Sequence, residues 1–219
     1  MNEDKIILID KPAGISSFGV VAKVRGKLKA EFGHKVKVGH TGTLDPFATG
    51  LLILLSGKMT KKSADFLKLD KIYEADLKLG FTSTTGDPEG GIMKKDVFLT
   101  PDINNIKSAL SKFIGPIQQT PPKFSAIKIN GRRAYKLARE GKDFEIPSRE
   151  VTIYSIEILS YNYPELKIRV HCSSGTYIRT LAEYIGEALG TGAYLTALRR
   201  LQIGNYSIAN AEKLEQFLK

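Results

Sequence analysis

The chain has 219 residues, of which 42% are hydrophobic and 26% charged, a composition ordinary for a globular protein near the upper size of one domain. Its net charge of +10 suggests an anionic partner such as nucleic acid, although a lysine-rich proteome would give the same excess. The single cysteine, Cys172, excludes an internal disulfide. Because we find no signal-peptide pattern and no apolar run of the roughly 18 residues that span a membrane, we expect a cytoplasmic protein.

The first part of the chain predicts short strands around one capped helix. Residues 5–9 predict a buried strand that ends in a turn. Ser16 or Ser17 can cap a helix that runs to about Phe32, with valines and a leucine on one face. Residues 35–38 predict a basic strand before a glycine-rich segment, and the apolar residues 51–55 predict either a buried strand or a helical segment.

The rest of the chain alternates strand and helix patterns. Residues 81–91 are rich in turn-forming residues and are expected to be too polar to pack. The other predicted elements are a strand at 71–79, a helix opened by Thr100, Pro101 and Asp102, paired strands at 151–159 and 166–172 with a turn at 162–164, an amphipathic helix at 176–189 that stops at Gly190, a last strand, and a short helix at 211–218. This pattern predicts a mixed α/β (α+β) domain with a largely antiparallel central sheet flanked by helices, and no linker.

Common cofactor motifs are missing. The segment from Gly50 to Lys58 has the wrong glycine spacing for a phosphate loop, and Met59 stands where Ser or Thr is required. The histidines and the single cysteine do not show zinc-ligand spacing. We therefore expect no metal and no cofactor.

The segment from Gly39 to Gly50 is the most unusual part of the sequence. Its glycines permit a tight backbone and close approach by a ligand. Asp45 precedes Pro46, which favours an extended backbone that holds the carboxylate away from the turn. The alternative is an ordinary Asx-turn in a surface loop.

Residues 40–50 resemble the catalytic loop of the TruB family of tRNA pseudouridine synthases. The family's further motifs follow in order and reach from residue 11 to residue 200. They are Lys11-Pro12-x-Gly14-x-Ser16-Ser17, Lys71-x-Tyr73 with Leu79-Gly80 and Thr82-x-Thr84-x-x-Asp87-x-x-Gly90, Pro121-Pro122-x-x-Ser125-Ala126-x-Lys128 with Gly131, Tyr135 and Arg139, Ser173-Ser174-Gly175-Thr176-Tyr177-Ile178-Arg179, and Leu195-x-x-Leu198-Arg199-Arg200.

The resemblance implies a cofactor-free isomerase with a pseudouridine synthase fold. Such an enzyme breaks the N1–C1′ bond of a uridine, turns the uracil and rejoins it through C5. The resemblance assigns the essential carboxylate to Asp45, which either adds to the substrate or stabilises and deprotonates an intermediate. Arg179 would keep Asp45 ionised and oriented, and Tyr73 would lie against the uracil and move a proton from C5.

The resemblance also implies a substrate, uridine 55 in the T-loop of tRNA, which must be flipped out of its stack. His40 would fill the gap left by the base or stack against the displaced bases, and Leu195 would form an apolar wall against the uracil. Further substrate contacts are expected from Gly42, Thr43, Leu44, Tyr177, Lys11 and Lys128, with phosphate contacts also from Lys61, Lys62, Lys123, Arg132 and Arg133.

The sequence departs from the family at its C-terminus, because TruB proteins usually continue into a PUA domain that contacts the acceptor end of tRNA. We therefore expect residues 1–219 to form one catalytic domain without a PUA domain, acting as a monomer on the T-arm. Two alternatives are a non-catalytic RNA-binding or tRNA-folding protein, and the catalytic subunit of a guide-RNA ribonucleoprotein. The joint presence of Asp45, Tyr73 and Arg179 argues against the first, and the missing extra segments argue against the second.

Overall fold

A computed structural model describes residues 3–219. The strands are β1 (Ile6–Lys11), β2 (Val38–His40), β3 (Thr49–Ser56), β4 (Lys71–Leu79), β5 (Phe81–Ser83), β6 (Ile92–Lys94), β7 (Gly115–Gln119), β8 (Lys128–Ile129), β9 (Arg132–Arg133), β10 (Arg149–Asn162), β11 (Glu165–Cys172), β12 (Ala193–Ile203), β13 (Tyr206–Ser207) and β14 (Glu212–Lys213). The α-helices are α1 (Ser17–Phe32), α2 (Ser63–Leu67), α3 (Ile103–Ser111), α4 (Ala134–Arg139), α5 (Ile178–Ala188) and α6 (Leu214–Phe217), with 3₁₀ helices at Gly57–Lys62 and Ile208–Asn210.

The chain divides into two compact units. The first unit contains the residues up to Glu74 together with Leu198–Lys219, and the second contains Ala75–Ala197. Both divisions fall inside strands, β4 and β12, and not in a flexible linker. That the whole chain acts as one catalytic domain stays a prediction.

The first unit is built around the buried strand β3. Strand β1 runs antiparallel to it in the register Ile6↔Leu55 to Lys11↔Gly50. Strand β2 is also antiparallel to β3, whereas the end of β12 is parallel to it. Alternate side chains of β3 enter two apolar clusters, so that both faces of the strand are covered. This double burial explains the continuous apolar run at 51–55 and decides in favour of a strand over a helix.

Helix α1 covers one of these clusters. The Ser16 side chain accepts a hydrogen bond from Gly19 N at 3.0 Å, which makes Ser16 the N-cap residue. The helix ends at Phe32 and is followed by Gly33 with φ 76°. The predicted apolar face is buried and consists of Val20, Val21, Val24 and Leu28. The predicted helix is thus confirmed in its cap, its end and its buried face.

We predict opposite effects on stability for two Gly→Ala substitutions in the first unit. Gly50 has φ 102°, and an added Cβ would overlap the backbone of Arg200 on the parallel strand β12. Gly50→Ala should therefore lower the free energy of unfolding by about 2–4 kcal/mol. Gly26 lies in α1 with nothing near the added Cβ, so Gly26→Ala should raise it by about 0.5–1 kcal/mol. Urea denaturation of both variants would measure the difference, and equal effects would contradict it.

The second unit contains the part of β4 from Ala75 onward, followed in spatial order by β11, β10 and β7. Strand β10 pairs with β11 in an antiparallel hairpin from Ile153↔Cys172 to Asn162↔Glu165, and with β7 on its other edge. Helix α5 is amphipathic as predicted, with Leu181, Ala182 and Ile185 buried. The strand pairings of both units are mostly antiparallel, which confirms a mixed α/β fold with a largely antiparallel sheet and helices.

Several local predictions are wrong. Residues 81–91 are not all turn, because β5 pairs with β6 and Asp87 is buried. Residues 35–37 lie outside β2, which begins at Val38. Pro101 precedes the N-cap Asp102 of α3 and is not in its first turn. The C-terminal helix is a single turn, and α5 begins at Ile178 and not at residue 176. Strand β7 and helix α4 were not predicted, since both are short.

Candidate active site

In the first unit, the loop between β2 and β3 carries Asp45 and the neighbouring predicted substrate contacts. Asp45 is half-buried, and its carbonyl oxygen accepts a hydrogen bond from Ala48 N at 3.1 Å. Leu44 is buried, whereas Thr43 is exposed. Gly42 N donates to Nδ1 of His40 at 3.3 Å, so the half-buried imidazole is oriented by the loop itself. The structure therefore places four of the predicted site residues, 42–45, on this loop and His40 at the end of β2, directly before it.

Two fully buried cations bind the backbone of this loop. Arg200 donates from Nη2 to Gly42 O at 3.1 Å and from Nε to Leu51 O at 2.8 Å. Lys11 Nζ donates to the carbonyl oxygens of Pro12, Ile15 and Pro46 at 2.8, 2.7 and 3.2 Å. Both side chains therefore fix the path of the loop through its carbonyl oxygens.

The prediction that Lys11 contacts the RNA backbone is corrected by this arrangement. Its side chain has no exposed area, and its ammonium group is surrounded by backbone carbonyl oxygens of the protein. A phosphate contact requires a cation that reaches the surface. Lys11 instead stabilises the segment that carries Asp45.

Tyr73 lies on β4, where buried and half-buried residues alternate along the strand. Its side chain is buried with 8% exposed. Its placement fits both a core aromatic residue and a residue at the edge of a site. The role of Tyr73 in proton transfer stays a prediction.

In the second unit, Arg179 is buried in the first turn of α5 and binds two loops. Its Nη1 donates to Thr85 O at 3.0 Å and lies 3.4 Å from Oδ2 of Asp87. Its Nη2 donates to Phe124 O at 2.8 Å. Both Arg179 and Asp87 are almost completely buried, so this ion pair is shielded from water. The guanidinium group is therefore held in one orientation and is not a surface arginine.

The loop at Thr85–Asp87 also contacts a second predicted residue, Leu195. Leu195 is completely buried, and its backbone N donates to Gly86 O at 3.0 Å. The Asp87 carboxylate accepts hydrogen bonds from Thr85 Oγ1 at 2.5 Å and from Glu89 N at 3.0 Å. This loop thus brings together Arg179 and Leu195 within the second unit.

The other two predicted residues of the second unit differ in how firmly they are held. The backbone of Tyr177 is bonded twice to the buried side chain of Gln119: Tyr177 N donates to Oε1 at 2.7 Å, and Nε2 donates to Tyr177 O at 3.0 Å. The guanidinium group of Arg149 lies over the Tyr177 ring at 5.2 Å. Lys128 is exposed on the short hairpin of β8 and β9. Tyr177 is therefore fixed, while Lys128 is placed as a surface cation.

Glu183 lies one helical turn after Arg179, and burial raises the pKa of its carboxyl group, with Asp87 and Glu187 adding to the rise and Arg179 opposing it. A carboxyl group whose pKa is raised in the folded state contributes to the stability of the protein below its ordinary pKa of 4.5. This contribution is lost as the pH rises through the pKa of the folded state. We therefore expect Glu183→Gln to gain Tm relative to the wild type as the pH rises from 4 to 7. Thermal melts across this range measure the difference, and a difference that falls with pH would contradict the prediction.

Some residues of this arrangement were not predicted from the sequence, namely Ser17, Asp87, Gln119 and Arg200 as buried hydrogen-bonding groups. Ser17, Asp87 and Arg200 stand in the quoted motifs, and membership in a motif was the available signal. Gln119 has no such signal, because its partner is the backbone of Tyr177, 58 positions away in the sequence. Within residues 3–219, no group of His, Cys, Asp and Glu side chains is arranged to hold a metal ion. Nor is any helix in this part of the chain both long and apolar enough to cross a membrane.

Comparison with solved structures defines the class of the fold. A chain in the crystal structure of a Cbf5–Nop10–Gar1 complex superposes with a TM-score of 0.74 and 29% identity, covering 99% of this chain and 54% of that one. A chain in an H/ACA RNP bound to a substrate RNA containing 2′-deoxyuridine gives a TM-score of 0.70 with 28% identity, covering 97% of this chain and 52% of that one. A structure described as a pseudouridylate synthase shares the fold at a TM-score of 0.50 with 16% identity, covering 98% of this chain and 69% of that one. The fold is that of the pseudouridine synthases.

The sequence comparisons define the family. The model of the TruB family pseudouridylate synthase N-terminal domain matches residues 27–178, and that of the tRNA pseudouridylate synthase B C-terminal domain matches residues 179–219. The chain belongs to the TruB family. It is 46% identical to tRNA pseudouridine synthase B of Cupriavidus metallidurans over 96% of this chain, and spans 66% of the length of that relative. It is 45% identical to the protein of the same name from Phocaeicola vulgatus, with 98% of this chain and 92% of that relative covered.

Proposed function

We propose that this protein is a tRNA pseudouridine synthase that flips uridine 55 out of the T-loop and isomerises it to pseudouridine, with Asp45 as the essential carboxylate. The observation that carries the proposal is the loop of residues 40–50, whose backbone is held by the buried cations Lys11 and Arg200. An Asx-turn in a surface loop has no need of such support. A carboxylate that must meet a flipped base needs this support, since catalysis depends on groups that are held in place before the substrate arrives.

The other roles follow the resemblance and the contacts within each unit. Arg179 is proposed to orient Asp45 and keep it ionised, which fits a guanidinium group fixed by Thr85 O, Asp87 and Phe124 O. Tyr73 and Leu195 are proposed to contact the uracil, and His40 to replace it in the stack. Tyr177 and the loop residues 42–44 are proposed to contact the T-arm. No step of this isomerisation transfers electrons or requires a metal, and we propose a monomeric enzyme that acts in the cytoplasm.

A guide-RNA-dependent subunit is the second candidate function, favoured by the structural likeness to a chain of the Cbf5–Nop10–Gar1 complex at 29% identity. The higher identity of 45–46% to proteins named tRNA pseudouridine synthase B favours the stand-alone activity. The two differ in their need for other components, because a stand-alone enzyme modifies tRNA without a guide or protein partners.

The deciding experiment is to incubate the purified chain with an unmodified tRNA transcript and to map pseudouridine at single-nucleotide resolution. We expect one new pseudouridine, at position 55, in the absence of any guide RNA. A transcript with cytidine at position 55 is the matched control and should stay unmodified. Modification elsewhere, or only after a guide RNA is added, would overturn the proposal.

The exposed basic side chains support RNA as the partner and make a further prediction about salt. They include Lys61, Lys62, Lys123, Lys128, Arg132 and Arg133. Arg132 and Lys123 already pair with Glu140 and Asp143, so their charges are partly balanced within the protein. If roughly five phosphates are neutralised, log K for tRNA should fall with log salt at a slope near −4. Filter-binding titrations between low and moderate salt would measure it, and a flat response would show that the basic excess does not bind RNA.

A further inference from the structure

The Ser17 hydroxyl group binds both backbone polar groups of Leu44, the residue that precedes Asp45. Leu44 N donates to Ser17 Oγ at 2.8 Å, and Ser17 Oγ donates to Leu44 O at 2.9 Å. Ser17 is 1% exposed and Leu44 is 3% exposed, so water does not compete for either bond. One buried side chain therefore fixes both peptide groups that flank Leu44.

Ser17 is not needed to cap α1, because its neighbour already does so. Ser16 is the N-cap residue, and its exposed hydroxyl group accepts from Gly19 N. Ser17 is the first residue of the helix, and its side chain points away from the helix toward the loop. Ser16 therefore caps the helix, whereas Ser17 binds the loop that carries Asp45.

The backbone after Asp45 is anchored to the same segment of the chain. Pro46 O accepts hydrogen bonds from Gly14 N at 2.9 Å and from Lys11 Nζ at 3.2 Å. Leu44 and Pro46 are therefore both tied to residues 11–17, and Asp45 lies between the two attachment points. Fixing the backbone on both sides of a residue limits the positions that its carboxylate can reach.

We propose that Ser17 is a positioning residue for catalysis, which sets the Asp45 carboxylate through its two hydrogen bonds to Leu44. The inference rests on the proposed catalytic role of Asp45. Misplacing a reacting group by about 1 Å can cost about a hundredfold in rate, because the near-attack geometry is lost. Ser17 does not contact the substrate in this proposal, so its effect should fall on the chemical step and not on RNA binding.

The test compares Ser17→Ala with Ser16→Ala, the same chemical change at adjacent positions. Each variant is assayed for single-turnover rate on unmodified tRNA, tRNA dissociation constant and Tm. Ser17→Ala should lower the single-turnover rate by about 10- to 100-fold, with the dissociation constant within about threefold of the wild type. Ser16→Ala removes the helix cap and should lower the Tm, while leaving the rate within about twofold. A folded Ser17→Ala protein with the wild-type rate would overturn the proposal.

Two further measurements keep the test decisive. Ser17→Thr keeps the hydroxyl group, so it should recover most of the rate lost in Ser17→Ala, and a folded Thr variant as slow as Ala would count against the proposal. Amide hydrogen exchange in the wild type needs no variant: the Leu44 amide should exchange far more slowly than that of Thr43. Rapid exchange at Leu44 would show that the bond to Ser17 does not persist. Asp45→Asn in the same assay separates the two proposals, because an active Asn variant removes the role of Asp45, whereas an inactive one with a normal Ser17→Ala rate removes only the role of Ser17.

Discussion

Asp45→Asn is expected to lower pseudouridine formation to below about 1% of the wild-type rate while tRNA affinity changes by no more than a few-fold. The substitution keeps the size of the side chain and its ability to accept a hydrogen bond, so the loop held by Ser17, Lys11 and Arg200 should stay folded. The substitution removes the carboxylate that would add to the substrate or deprotonate the intermediate. The measurements are single-turnover kinetics and equilibrium binding with the same tRNA.

Asp96→Asn is the matched control for the charge change. Asp96 is exposed in the second unit and has no proposed role in the site. Its removal raises the net charge of the protein by the same amount as Asp45→Asn. A comparable loss of rate in both variants would indicate a general electrostatic effect, and turnover above a few per cent in Asp45→Asn would remove Asp45 as the catalytic residue.

Arg179→Ala and Arg179→Lys are expected to show the second largest effect, with Ala more severe than Lys. Arg179 binds Thr85 O and Phe124 O through its two terminal nitrogens and lies beside the Asp87 carboxylate. Lysine keeps the charge but has a single nitrogen, which cannot reach both loops in the planar geometry of a guanidinium group. Because Arg179 is proposed to orient Asp45, and misplacing a reacting group can cost about a hundredfold in rate, we expect rate losses of about a hundredfold for Lys and a thousandfold or more for Ala.

Loss of the buried ion pair with Asp87 will also lower the stability of the protein, so the Tm of each variant is measured together with its rate. Arg169→Lys is the control, because Arg169 pairs with Glu157 on the surface of the same unit and this pair is partly exposed. It should leave the rate near that of the wild type. Near-normal turnover of a folded Arg179→Lys protein would contradict both the fixed orientation of Arg179 and its proposed pairing with Asp45.

Those parts of the fold that depend on local sequence were predictable. Strand β4 has the predicted bounds of residues 71–79, because its alternating pattern matches a sheet with one buried face. Helix α1 was predicted from its capping serine and its valine spacing. The pair β5 and β6 was missed, since each strand has only three residues, too few to show an alternating pattern, and is defined by its register with the other. The local sequence gives little indication of short elements that are stabilised by tertiary contacts.

The candidate site shows the same limit at the level of single residues. The resemblance identified the loop of Asp45 and the motif of Arg179, and the structure shows how each is held within its unit. Lys11 was misinterpreted because a lysine in a polar stretch is usually solvated, and its burial depends on three carbonyl oxygens that meet only in the folded protein. Ser17 stands in a quoted motif, but its hydrogen bonds to Leu44, 27 positions away, could not be predicted from the sequence.

The parallel pairing of β3 with the end of β12 has a consequence for synthesis on the ribosome. Arg200 must be made before it can bind Gly42 O, and these residues are separated by 158 positions in the sequence. All of the second unit emerges from the ribosome in between. Contacts between such distant positions form slowly, because a long intervening loop must first be closed. The loop that carries Asp45 is therefore among the last parts of the nascent protein to be completed, after Ala75–Ala197 has had the opportunity to fold by itself.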